Sequence, residues 1–211
     1  MYKRQLTTIG ANAFSAENND DKGKLTTLSL PSNVTTIGNK AFQNHSLTSL
    51  TLGSKVQSIG DYAFYGSEIS NTITLPTTLT AIGELAFGGN QYTTLTIPAN
   101  VTSIKSGAFF NNDKLTTLTI RPQSITFEAP IITNDQPLEI RLTKKLYCDM
   151  SKDTDADTKR SNVFTEGKDA IAIGGGKRTY KSVDGATAFG TWGSNTTSEN
   201  KHAQNFATLC P

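Results

Sequence analysis

Most of the features by which enzymes, metalloproteins and membrane proteins are recognised are scarce in this chain. Its 211 residues include two cysteines and two histidines, with a net charge of +2. No apolar run approaches the roughly 20 residues needed to span a bilayer, so no membrane span is expected in this piece. Its first 120 residues carry eight Lys or Arg against seven Asp or Glu. Without clustered cations to neutralise phosphates, nucleic acid is not an expected partner. Cys148 and Cys210 could pair in an oxidising compartment or stay free thiols. Only His45 and His202 could join them at a zinc ion, and the spacings fit no zinc pattern. No metal or cofactor is expected.

Catalytic signatures are missing as well. Gly174-Gly175-Gly176-Lys177 imitates a phosphate loop, but Ile171 stands where the first Gly belongs and Arg178 where Ser or Thr belongs. The run reads as a flexible turn. Asp153, Asp155 and Asp157 open like a calcium loop, but Thr158 and Phe164 replace its Gly and Glu. That run reads as a solvated acidic turn. Neither His lies in a G-x-S-x-G, H-E-x-x-H or similar motif. No catalytic residue is expected, and the chain is read as a non-enzyme.

What is present is a period. Ala13-Phe14, Ala41-Phe42, Ala63-Phe64, Ala86-Phe87 and Ala108-Phe109 recur along the first half. After a first gap of 28 residues, the Phe positions advance by 22, 23 and 22. Ile9, Ile37, Ile59, Ile82 and Ile104 each precede a Phe by five residues. A fixed period in the low twenties with fixed apolar anchors specifies a stacked solenoid, because no single repeat can bury its own apolar face. Hydrophobic residues make up 36% of the chain, low for a globule but ordinary for a thin coil.

The repeat reads L-x-x-L-x-L-P-x-x-V-x-x-I-G-x-x-A-F. In its L-x-L part, alternate side chains face opposite sides of a strand. Leu28/Leu30, Leu50/Leu52, Ile73/Leu75, Leu95/Ile97 and Leu118/Ile120 are expected to point inward. Pro31, Pro76 and Pro98 stop the strand. Val34, Val56, Leu79 and Val101 form a second apolar face with the Ile that follows. Gly38, Gly60 and Gly83 are expected to relax the backbone at the next corner, where Lys105 stands in the last repeat. Ser70 and Tyr92 stand at the opening Leu of their repeats. The Ala-Phe unit is placed on a short helical turn, with Phe14, Phe42, Phe64, Phe87 and Phe109 stacked as a buried structural ladder.

This pattern resembles the BspA-like leucine-rich repeat family of bacterial and protist surface proteins over roughly residues 6–125. The resemblance implies a leucine-rich-repeat superhelix of short parallel strands and short helical turns, mostly β and loop. It also implies a secreted or cell-surface protein of the Bacteroides type that adheres to host or microbial partners. Residues 1–120 are assigned to this solenoid, about five coils with the first incomplete. Residues 121–165, where the period fails, are assigned as its C-terminal cap; they resemble the closing strand, short helix and final aromatic of related proteins. Residues 166–211 are assigned to a small, partial β-rich module, and the ending NFATLCP resembles a strand-rich module that follows such repeats. Because the chain opens mid-repeat near Leu6, without a signal or cap, and stops at Pro211, it is expected to be an excised piece. Its uncapped N-terminal end could contact another copy.

Two surfaces are candidates for binding. Thr27/Ser29, Ser49/Thr51, Thr72/Thr74, Thr94/Thr96 and Thr117/Thr119 are the outward strand positions, two ranks of hydroxyls spaced by about 4.8 Å. Thr also favours strands and keeps an exposed sheet soluble, which is the plain reading. The functional reading is a flat recognition face for an extracellular protein or glycan; an ice lattice is a narrower variant. Breaking the Thr monotony are Tyr62, Tyr65, Tyr92 and Phe110, with Lys55 and Lys105 nearby. The expected function is a non-catalytic adhesion or recognition module. The alternatives are a spacer that displays another domain, or a non-catalytic piece of a larger surface enzyme. Asn33, Asn44, Asn100 and Asn195 head glycosylation sequons.

Overall fold

The computed structural model describes residues 6–16, 23–70, 72–127, 131–133, 137–150, 172–173, 178–182 and 188–192. Two parallel strand ladders run along the stack. The first is built from the Ile positions: Thr8–Ile9, Thr36–Ile37, Ser58–Ile59, Ala81–Ile82, Ser103–Ile104 and Thr126–Phe127 pair in that order, six short strands in one sheet. Ile9, Ile37, Ile59, Ile82 and Ile104 sit in register with their neighbours and are buried.

The second ladder, from the L-x-L positions, comes in two parts. Thr27–Ser29 pairs with Ser49–Thr51. Thr94–Ile97, Thr117–Ile120, Leu138–Leu142 and Arg178–Lys181 then form a parallel run, closed by antiparallel Ala188–Trp192. Between the parts, Ile73 bridges in parallel to Leu95. Leu47, Ile69, Tyr92 and Leu115 are all fully buried and mark one position of successive coils. Three residues separate Leu47 from Leu50 and Tyr92 from Leu95, but four separate Ile69 from Ile73. Thus Ile69, not exposed Ser70, fills the opening position.

Both ladders continue past residue 120. The strand Leu138–Leu142 lies in register with Thr117–Ile120, and Ile131 takes the next Ala position, its carbonyl accepting from the Phe109 amide at 2.8 Å. Strand pairing runs on across residue 120, and Arg178–Lys181 pairs in turn with Leu138–Leu142. Strand pairing needs only inward alternation, which Leu138, Ile140 and Leu142 retain after the consensus has faded.

The Ala-Phe corner is a pair of tight turns rather than a helix. Among the described residues the one helix is Lys144–Met150, capped by Thr143, whose Oγ1 accepts from the Leu146 amide at 3.1 Å. At the corner, Asn12, Lys40, Tyr62, Leu85 and Gly107, each two residues before the Phe, have φ between 51 and 60°. Asn44, Gly66, Gly89 and Asn111, two residues after it, are also left-handed. A helix cannot propagate through such residues. Their conformation instead aims amides along the stack. Phe14, Phe42, Phe64 and Phe87 donate to the Ala carbonyl of the next coil at 2.8–2.9 Å.

The Phe rings stack with centroids 5.3, 5.4, 5.3 and 6.0 Å apart and planes within 16°. Phe42, Phe64, Phe87 and Phe109 are buried, whereas Phe14, at the end of the row, is 52% exposed. Gly38, Gly60 and Gly83 serve a different purpose from the one expected. They do not take positive φ. A Cβ at Gly60 would lie 2.7 Å from the Asn39 amide nitrogen of the preceding coil, and one at Gly83 2.5 Å from that of Asp61. Close approach of coils requires them.

Candidate functional site

The L-x-L strands place their hydroxyls outward, as alternation requires. Thr27, Ser29, Thr51, Thr72, Thr74, Thr94 and Thr96 are exposed, and Ser49 and Thr117 are half-buried. Thr119 departs from the rank: it is 7% exposed. Its neighbour in register is Arg141, and that of Thr117 is Glu139. Arg141 Nε donates to Glu139 Oε1 at 2.6 Å, so the hydroxyl ranks end against an ion pair.

Beside Thr51 and Thr74 the same face carries a groove of about 340 Å³. Thr51, Thr72, Thr74 and Thr77 contribute hydroxyls to it, and Leu52 and Pro76 contribute apolar surface. Among the described residues lining it, none is ionisable.

The corner edge gathers aromatic side chains. Tyr62 and Tyr65 meet edge to face with centroids 5.6 Å apart. Both are half-buried. The Tyr65 ring leans over Gly88, where a Cβ would come within 3.0 Å of it. Phe110 is 36% exposed. Burial raises the Tyr62 phenol above its ordinary pKa, helped by the negative charges of Glu84 and Asp61. Lys105 pairs with Asp61 at 3.4 Å, and Lys55 donates to Asn33 Oδ1 at 3.1 Å. The first is half-buried and the second exposed, and surface contacts of this kind contribute little to stability.

Tyr92 does not belong with these anchors. It is fully buried, and its hydroxyl donates to the Phe87 carbonyl at 3.3 Å. Burial pushes its pKa well up, partly offset by a hydrogen bond from Asn112. The reason is its place in the repeat, equivalent to Leu47 and Leu115, where the side chain must fill the coil.

Residue-type reasoning missed a buried polar ladder three residues after Phe42, Phe64, Phe87 and Phe109. His45 donates from Nε2 to the Phe14 carbonyl. Ser67 Oγ donates to the Phe42 carbonyl at 2.7 Å, Asn90 Nδ2 to that of Phe64 at 3.0 Å, and Asn112 Nδ2 to that of Phe87 at 3.1 Å. Asn90 Oδ1 accepts from the Ile69 amide, and Asn112 Oδ1 from the Asn90 amide. The spacing Phe-x-x-His/Ser/Asn was the available signal. Apart from His45 Nδ1, which is buried without a hydrogen-bond partner, these groups are spent on backbone polar groups and hold the coils together.

The surface can thus offer hydroxyls, aromatic faces and a small polar groove. Among the described residues no three His, Cys, Asp or Glu converge as a metal site, and no helix is long and apolar enough to cross a membrane.

Comparison with known proteins follows the same line. No curated protein matches the chain. A leucine-rich repeat protein from Bacteroides ovatus, known from its crystal structure, is 22% identical, with a TM-score of 0.46 over 70% of this chain and 52% of its own. The chain therefore spans about half the length of that structure. The sequence pattern of the BspA type leucine rich repeat region matches residues 7–139 in six copies. On that match, over more than half of its length, the chain belongs to the BspA type leucine-rich repeat family.

Proposed function

We propose that this chain is a recognition module that works outside the cell, binding protein or glycan partners through its extended repeat surface and catalysing no reaction. The observation that carries this reading is the exposed double rank of hydroxyls from Thr27 to Thr96, presented by successive coils on one side of the stack. A solenoid offers contacts spread over many repeats rather than one reaction centre. The disulfide at Cys148 supports an oxidising compartment.

The test is a binding screen of the chain against extracellular-matrix proteins and glycans, repeated with variants. Thr94→Lys with Thr96→Lys puts two ammonium groups on the hydroxyl face and is expected to abolish binding. Both positions are exposed, so stability should change by less than about 0.5 kcal/mol. Tyr65→Ala with Phe110→Ala tests the aromatic edge instead. If the unmodified chain binds nothing at high micromolar concentration, it acts as a spacer.

A further inference from the structure

We infer that the Ala-Phe corner of the third to fifth coils is a second binding surface, an aromatic platform on which a neutral sugar ring of a glycan stacks. The inference deepens the recognition reading and rests on it, but it does not need the hydroxyl face. Among the described residues the exposed large apolar side chains are Leu6 and Phe14 in the first coil and Phe110 in the fifth. Phe110 does not stand alone. The two rows that flank the buried Phe ladder over these coils carry Tyr62, Leu85 and Gly107 on one side and Tyr65, Gly88 and Phe110 on the other. The two glycines let the larger side chains close up. A Cβ at Gly88 would lie 3.0 Å from Tyr65 Cδ2 and 3.3 Å from Leu85 Cδ2. One at Gly107 would lie 3.1 Å from the same Leu85 methyl and 3.6 Å from Phe110 Cβ. Tyr65, Leu85 and Phe110 therefore form one surface across three coils, widened by Tyr62, which meets Tyr65 edge to face. Tyr62, Tyr65 and Leu85 are half-buried, so each is held by its neighbours while part of it stays open to a ligand.

The groups around the platform select the ligand class. Asp61 pairs with Lys105, and Glu84 accepts a hydrogen bond from the Tyr62 phenol. Lys40 is exposed and precedes Tyr62 in its row. Two carboxylates and two ammonium groups offset one another, so the rim gives a charged ligand of either sign no advantage. The same four side chains offer acceptors and donors to hydroxyl groups. The face of an aromatic ring is negative and attracts the weakly positive C–H bonds on the flat side of a sugar ring. A neutral saccharide thus has a C–H face for the rings and hydroxyls for the rim.

The experiment is an amide NMR titration of the chain with lactose, maltotriose and mannotriose, and with choline as a cationic probe of the same rings. At least one sugar should shift the amides of Tyr62, Tyr65, Gly88 and Phe110, and choline should not. Tyr65→Ala with Phe110→Ala should weaken the sugar binding about tenfold or more, with the rest of the spectrum retained. Tyr65→Phe keeps the ring and should bind as the unmodified chain does. Absence of corner shifts with all three sugars, corner shifts with choline alone, or full binding by the Ala pair would overturn the inference. The Lys variants at Thr94 and Thr96 lie on the strand face and should leave the corner shifts in place. Failure of the hydroxyl face and failure of the platform are therefore read separately.

Discussion

Tyr92 shows how the repeat overrides residue type. A tyrosine on a repeat surface reads as an anchor, yet its position puts it wholly inside. Its ionised form is disfavoured in the folded chain, so the folded pKa lies above the unfolded value of about 10. The stability this contributes is present in full below pH ~10 and is lost as pH rises further. The loss should be about 1.4 kcal/mol per pH unit. Urea melts at pH 8 and above pH 10 should show that slope, and Tyr92→Phe should remove it; an unchanged slope in the variant would place the effect elsewhere. Lys40 makes the converse point. It is exposed with φ of 57°, a conformation costing a non-glycine residue roughly 1 kcal/mol. Lys40→Gly should stabilise by a few tenths of a kcal/mol, up to about 1, after the flexibility of glycine is subtracted. Chemical denaturation would read the difference. Nothing local in Lys40 or Leu85 announces a left-handed turn; amide bonding to the next coil imposes it.

At the scale of the elements, two ladders dominate. Phe64 is sandwiched at 5.4 Å by Phe42 and 5.3 Å by Phe87. Phe64→Ala should cost about 3–5 kcal/mol, whereas Phe14→Ala, half exposed with a single neighbour, should cost clearly less. Denaturant melts giving equal losses would contradict this picture. The polar ladder predicts a second contrast. Asn90→Ala strips the Ile69 amide and the Phe64 carbonyl of their side-chain partner in a site without water access. A loss of about 3 kcal/mol or more is expected, against about 1–2 for Ser67→Ala, which removes one bond. The Phe ladder was plain in the sequence because one residue type repeats. The polar ladder was hidden because His45, Ser67, Asn90 and Asn112 share a task but not a residue type.

Across the whole molecule, stability is a sum over coils and their interfaces. The disulfide at Cys148, in the helix beyond the last Phe, lies outside both side-chain ladders. The chain has one other cysteine, Cys210, which falls outside the described residues. Reduction should therefore lower Tm by no more than about 10 °C, toward the low end of what a crosslink usually contributes. Hydrogen exchange with and without reductant should show the amides of Phe42, Phe64 and Phe87 equally protected. Loss of that protection would make the crosslink part of the solenoid's own closure.

The sequence by itself determined the solenoid, its period, its inward Leu and Ile rows and the stacked Phe, because each is a repeated apolar choice that only stacking can bury. It also placed the outward hydroxyls, since strand alternation leaves them nowhere else to go. The tertiary structure decided the rest. It set the left-handed corners, the close-approach role of Gly60 and Gly83, the continuation of the sheet through Leu138–Leu142, and the placing of Ile69 rather than Ser70 at the opening position. Each depends on how one coil's backbone meets the next, and that meeting is a contact across about 22 residues, which no local pattern of side chains encodes.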